Sequence, residues 1–222
     1  MIRRILLASL AAALGAAVLF WATLPDVRPL AKAWPATTAF MERRKAELAR
    51  RGESTRLEWT PVPLSRIAPD MQRAVVVAED ARFYEHGGVD WEAMRGAAEK
   101  NWEKGKVKVG GSTITQQLAK NLYLSPARTP WRKLRELAIA RRLERELSKK
   151  RILELYLNVI EFGPRTFGVE AAARRYMGES ARDLSREQAA TLAAIIPSPR
   201  LYDLARHPDR AARRAARILR WM

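Results

Sequence analysis

Hydrophobic positions follow two different rules along this chain. Between Ile5 and Leu24 every residue is apolar or small and none is charged. From Leu64 onward apolar residues recur three and four apart between charged ones, the spacing of amphipathic helices. About 20 residues of helix cross a bilayer core of roughly 30 Å, so residues 1–25 are expected to form one transmembrane anchor. Trp21 suits the outer interface. The run exceeds the apolar core of about 7–15 residues usual for a cleaved signal peptide, which favours an anchor that stays. Arg3 and Arg4 precede it, and the positive-inside rule keeps that end cytoplasmic and exports the rest.

Residues 26–63 read as a linker or membrane-proximal segment, because positions 25–63 hold five of the twelve prolines. One charged stretch there, residues 41–56, has the look of a short amphipathic helix. The remainder, 64–222, reads as a single helical domain. Asp90 can cap a helix reaching about residue 103, and a Gly110-Gly111-Ser112 turn leads into another over about 113–122. A long charged helix is expected over 131–147, and Ser148 caps the next, to about 159. A further helix from Gly168 closes at Gly178. Ser185 with Gln188 three residues on is a capping-box pattern, and Pro208 opens an Arg-rich last helix. The fold class is all-α.

Charge narrows the function. The chain carries 41 Lys and Arg against 24 Asp and Glu, a net +17. Arg3 and Arg4 supply only two of those charges, so the basicity belongs to the domain and points to a polyanionic partner. There is no cysteine, and His86 and His207 are the only histidines, which removes disulfides, thiolate metal sites and a histidine-rich metal centre.

Four segments could carry chemistry. An apolar run, Val75 to Ala78, ends in Glu79 and Asp80. A carboxylate at the edge of an apolar pocket is desolvated and becomes a usable base or acid near neutrality. Taken alone, the segment reads more simply as a helix whose acids pair with Arg73 or Arg82. In the second segment Thr113, Gln117, Lys120 and Asn121 share one helix face, opposite Ile114, Leu118 and Leu122. Such uncharged donors suit sugar hydroxyls and phosphate oxygens, and the glycine pair exposes the helix start as an anion site. A Gly-rich turn capped by Ser112 explains the segment equally well. In the third, Glu136 stands among Arg132, Lys133 and Arg135. It can pair with Arg132 at i−4, while the remaining cations could hold a pyrophosphate. The fourth, Ser148 to Gly163, reads as scaffold with Asn158 as a hydrogen-bonding strut.

Together these segments resemble the glycosyltransferase family shared by class A penicillin-binding proteins and their monofunctional relatives. The E-D-x-x-F-x-x-H block falls at Glu79 to His86, G-x-S-T-x-T-Q-Q at Gly110 to Gln117, R-K-x-x-E at Arg132 to Glu136, and I-L-E-x-Y-L-N-x-x-x-x-G at Ile152 to Gly163. A weaker block covers Gly168 to Tyr176. Ala81 departs from the pattern, standing where relatives often carry a basic residue, and Arg82 is a candidate substitute. The chain ends about 20 residues beyond the matched region, which suits the monofunctional type.

The resemblance implies a lysozyme-like helical domain with a smaller membrane-proximal lobe, acting on lipid II, an undecaprenyl-pyrophosphate-linked disaccharide-pentapeptide. It implies Glu79 as the general base on the acceptor 4-hydroxyl, attack on the donor's anomeric carbon with inversion, and Glu136 as a second essential acid. Asp80 would support the site, and Phe83 and His86 would shape its wall. Ser112, Thr113, Gln117, Lys120 and Asn121 would line the donor and pyrophosphate cleft, with Arg132 and Lys133 offsetting the leaving charge. No cofactor is required, although a divalent cation (Mg or Mn) fits the chemistry of the pyrophosphate. The expected partners are lipid II, the growing glycan strand, the membrane and transpeptidase or division proteins, with no nucleic acid. A lysozyme-like lytic enzyme would explain Glu79 but not the cations around Glu136. A basic nucleic-acid binder would use the charge but leave the uncharged polar face unexplained.

Overall fold

The computed structural model describes residues 1–103, 111–127, 129–199, 201–202, 204 and 206–222. Ten α-helices are described: α1 (Ile2–Ala22), α2 (Ala39–Arg50), α3 (Pro69–Glu79), α4 (Trp91–Glu103), α5 (Ile114–Tyr123), α6 (Pro130–Glu146), α7 (Lys149–Val159), α8 (Val169–Met177), α9 (Arg186–Ile195) and α10 (Pro208–Leu219). Local chemistry sets most of their ends. Thr113, Thr129, Ser148 and Ser185 each accept a backbone N–H from the first turn, and Ser185 and Gln188 complete the capping box. Gly178 closes α8 in the left-handed conformation. The cap of α5 is Thr113, not Ser112.

The all-α expectation needs one correction, for three short strands form a sheet: β1 (Glu58–Trp59), β2 (Glu161–Gly163) and β3 (Thr166–Phe167), in the order β1-β3-β2. β1 runs parallel to β3, and β2 antiparallel. Strands of two or three residues are too short for alternation to show in a sequence. The close turn into α8 requires Gly168, at φ +78°, because a Cβ there would lie 2.7 Å from the Asn158 carbonyl oxygen.

The core is built around α5, α7 and α9. Ile114, Leu118, Ile152, Leu155, Tyr156, Leu192 and Ala193 are fully buried. The alanines of α9 (Ala189, Ala190, Ala193, Ala194) let α3 and α10 pack closely on it. Residues 26–63 are part of this core and not a mere linker. Val27, Leu30 and Val62 join the main cluster, and Met41 and Leu48 are buried on α2. Outside α2, prolines deny this segment regular hydrogen bonding, so carbonyls there need side-chain donors. Arg151 donates to the Leu30 and Ala33 carbonyls, and Asn158 bonds both the N–H and the carbonyl of Val62 at 2.8 and 2.9 Å. The strut expected at Asn158 is there.

At the N-terminus, α1 is 21 residues long, with the side chains at 2, 5, 8, 12 and 13 outside the described set. Among the described residues no helix is long and apolar enough to cross a membrane. The end of α1 rests on α6: Arg135 bonds the Thr23 hydroxyl and carbonyl, Arg142 reaches the Trp21, Leu24 and Pro25 carbonyls, and Phe20 meets Trp131 edge to face.

Candidate active site

Glu79 ends α3, and Asp80 immediately after it decides where Glu79 points. One Asp80 oxygen accepts the Ile114 N–H at 3.0 Å and the other meets His86 Nε2 at 2.9 Å. The expected anion site at the start of α5 is therefore taken by Asp80 itself, which ties α3 to α5. His86 Nδ1 accepts the Gly88 N–H at 3.2 Å, which assigns the ring proton to Nε2, facing Asp80. Thr113 Oγ1 donates to the Gly88 carbonyl. Phe83, expected at the cleft wall, is fully buried in the core beneath the Lys149 ammonium. Phe83 and His86 thus brace the segment from behind.

So braced, Glu79 keeps only 8% of its side chain exposed. Gln117 Nε2 donates to one of its oxygens at 2.9 Å, and Arg214 of α10 to the other at 3.0 Å. Gln117 is itself oriented by the buried Tyr156 hydroxyl, which donates to its Oε1 at 2.9 Å. Burial raises the Glu79 pKa above its ordinary value, against the lowering pull of Gln117, Arg214 and Lys120. Neither Arg73 nor Arg82 is its partner. Arg82, the candidate substitute for the basic residue missing at Ala81, pairs with Asp90 and Glu92. A cavity of 280 Å³ lies beside Glu79, walled by Asp80, Arg82, Asp90, Ser112 and Thr113 among others.

The second acid sits on α6. Glu136 is 2% exposed and carries two cations, Arg132 on one oxygen and Lys133 on the other. Lys133 also donates to Ser112 Oγ and Gln116 Oε1, both at 3.1 Å, which carries this cluster across to α5. Lys120, one turn further along α5, lies in the fields of both Glu79 and Glu136; burial lowers its pKa. Helix α5 is therefore the common wall: Gln117 holds Glu79, Gln116 holds Lys133, one of the two cations on Glu136, and Lys120 lies between. Asn121 turns its amide back to the Gln117 carbonyl at 2.8 Å.

Two residues escaped the sequence reading. Arg214 looked like one more arginine of a charged helix, 135 positions from Glu79, and no local signal links them. Gln116 lay off the polar face, yet it is fully buried and its Nε2 has no partner, like Nε of Arg132. Two donors beside Glu136 are thus unspent. Gly110 lies outside the described residues. Gly111 packs closely on α4, where a Cβ would sit 3.1 Å from Met94 Cα. Asp80, His86 and Asp90 bring their donor atoms within 4.8 Å of one another. Each is already engaged, Asp90 by Arg82 and the Ala93 N–H, so a cation there would have to displace those bonds.

Known proteins now bear on this arrangement. A family model described as Transglycosylase matches residues 44–222, which takes in both acids and α10. The chain belongs to the transglycosylase family. Curated relatives named biosynthetic peptidoglycan transglycosylase include those of Nitrosospira multiformis and Laribacter hongkongensis, each 51% identical over 185 residues. These alignments cover 83% of this chain and 80% and 81% of the relatives. The Chromobacterium violaceum relative is 48% identical over 188 residues, 85% of this chain and 82% of its own. The transglycosylase match begins at residue 44, inside the segment that the sequence alone assigned to a linker, in keeping with the burial of Leu48 and Val62.

Proposed function

We propose that the chain polymerises lipid II into β-1,4-linked glycan strands for the cell wall, releasing undecaprenyl pyrophosphate. The observation that carries this reading is the single wall of α5, which holds a desolvated carboxylate on one side and a carboxylate dressed with cations on the other. Glu79 accepts the proton of the acceptor sugar's 4-hydroxyl as its oxygen attacks the donor's anomeric carbon, and the glycosidic bond to pyrophosphate breaks with inversion. A diphosphate leaves as an anion and needs cations more than a proton. Lys120, Arg132 and Lys133 suit that charge. Glu136 holds two of those cations in place. Asp80 and His86 position Glu79. No cofactor is needed; a divalent cation would act on the pyrophosphate itself.

The same reading makes residues 1–25 a single-pass anchor in the cytoplasmic membrane, with the N-terminus inside and the lysozyme-like domain outside. The uncharged run from Ile5 to Leu24 supports it, as does the exposure of Leu6, Leu10, Leu14, Val18 and Leu19 along α1. The contacts from Arg135 and Arg142 to the end of α1 would then hold the cleft at the bilayer that delivers lipid II. The growing strand is the second partner, and transpeptidase or division proteins are further ones.

The test is the purified full chain with lipid II in detergent or nanodiscs. Appearance of polymer that is susceptible to a muramidase is the expected result. Shortening of preformed glycan without synthesis would assign the site to a lytic glycosidase instead.

A further inference from the structure

The site above uses one of the four arginines of α10 and leaves the other three, with Arg220 just past the end of the helix. Ala211, Ala215 and Ile218 bury one face of the helix, and Arg214 turns to Glu79. On another face Arg210, Arg213, Arg217 and Arg220 line an open groove of 670 Å³ with Leu201 and Tyr202. Arg44, Arg132, Arg151 and Arg174 each hold a carboxylate. The four groove arginines hold none among the described residues, and no described acid lines the groove. Like charges three and four residues apart on a helix repel, so an anion bridging them is favoured. The guanidinium fork grips carboxylates in pairs of parallel hydrogen bonds.

Position narrows the anion. The Tyr202 ring in the groove wall lies 5.8 Å from the guanidinium carbon of Arg214, which itself holds Glu79. The groove therefore begins one side chain away from the reacting carboxylate. Helix α10 packs on α9 and α3, whereas the end of α1 is held by α6. The groove opens beside the reacting carboxylate, which favours a part of the substrate as the anion it holds.

We propose that the α10 groove binds the acidic peptide carried by the sugar substrate, its arginines gripping the peptide carboxylates while the sugar reaches Glu79. This rests on the polymerase reading. The test compares the full chain with a variant combining Arg210→Gln, Arg213→Gln, Arg217→Gln and Arg220→Gln, on lipid II and on the same lipid-linked disaccharide without its peptide. The expected result is a KM for lipid II raised about tenfold, corresponding to about 1.4 kcal/mol, and one KM shared by both enzymes on the peptide-free substrate. An unchanged KM for lipid II, or an equal rise on both substrates, overturns the proposal; the equal rise would mean general attraction to the pyrophosphate or the membrane. If the fourfold variant does not fold, Arg213→Gln with Arg217→Gln takes its place. Fluorescence anisotropy of a labelled acidic stem peptide on the full chain gives a second readout: binding abolished by the arginine substitutions supports the groove, and no binding overturns it. That peptide measurement holds even if the parent makes no polymer, an outcome that would fell the polymerase reading alone.

Discussion

Glu79 and Glu136 are both nearly buried carboxylates, 8% and 3% exposed at the side chain, and they share the wall of α5. Their surroundings differ in kind. Glu79 has one amide and one guanidinium, and desolvation outweighs both to raise its pKa. Glu136 has a cation on each oxygen. A carboxylate whose ionisation is costly is suited to taking a proton, whereas one locked between cations is suited to fixing those cations for a second anion. Burial alone does not make a base; the count of neighbouring charges decides.

Substitutions that keep shape and remove charge should separate the two. Glu79→Gln should lower kcat by about 10²–10⁴-fold, the usual worth of a general base, with melting temperature and lipid II binding close to the parent. Glu136→Gln should also lose most activity but for another reason, since it releases Arg132 and Lys133. Breaking a buried pair costs about 3 kcal/mol, nearer the low end here because Lys133 is one-third exposed. Calorimetry should therefore show a lowered melting temperature for Glu136→Gln and not for Glu79→Gln.

Arg214→Ala sharpens the comparison through pH. Glu79 must be ionised to act, so activity should fall as pH drops through its pKa, on a limb above the ordinary carboxylate range. Gln117 and Lys120 from α5 and Arg214 from α10 bear on that limb, and Tyr156 from α7 does so through its bond to Gln117. Removing Arg214 deletes a lowering influence, so the acidic limb of the kcat profile should move to higher pH, and Arg214→Lys should restore part of it. The smallest effect is that of salt: raising it from about 50 to 500 mM should weaken lipid II binding several-fold through screening of the pyrophosphate contacts.

What could be read from the sequence was what is local. Caps at Ser148 and Ser185, the αL glycine at Gly178 and the i−4 pairing of Arg132 with Glu136 all lie within one helical turn of their partners. The misses are long-range. Arg214 meets Glu79 only because α10 packs beside α3 on α9. Residues 26–63 looked like a linker because prolines cluster at both ends and only one short charged helix shows between them; the donors that fasten the segment, Arg151 and Asn158, are about a hundred residues away. Part of the positive charge attributed to a polyanionic partner is thus spent on the protein's own carbonyls.

The most direct test measures lipid II binding and single-turnover polymerisation for Glu79→Gln and Glu136→Gln in one preparation, beside the parent. Glu79→Gln should bind as the parent does and form no polymer, while Glu136→Gln should bind weakly. Polymer formed by Glu79→Gln at the parental rate would contradict the assignment of the base.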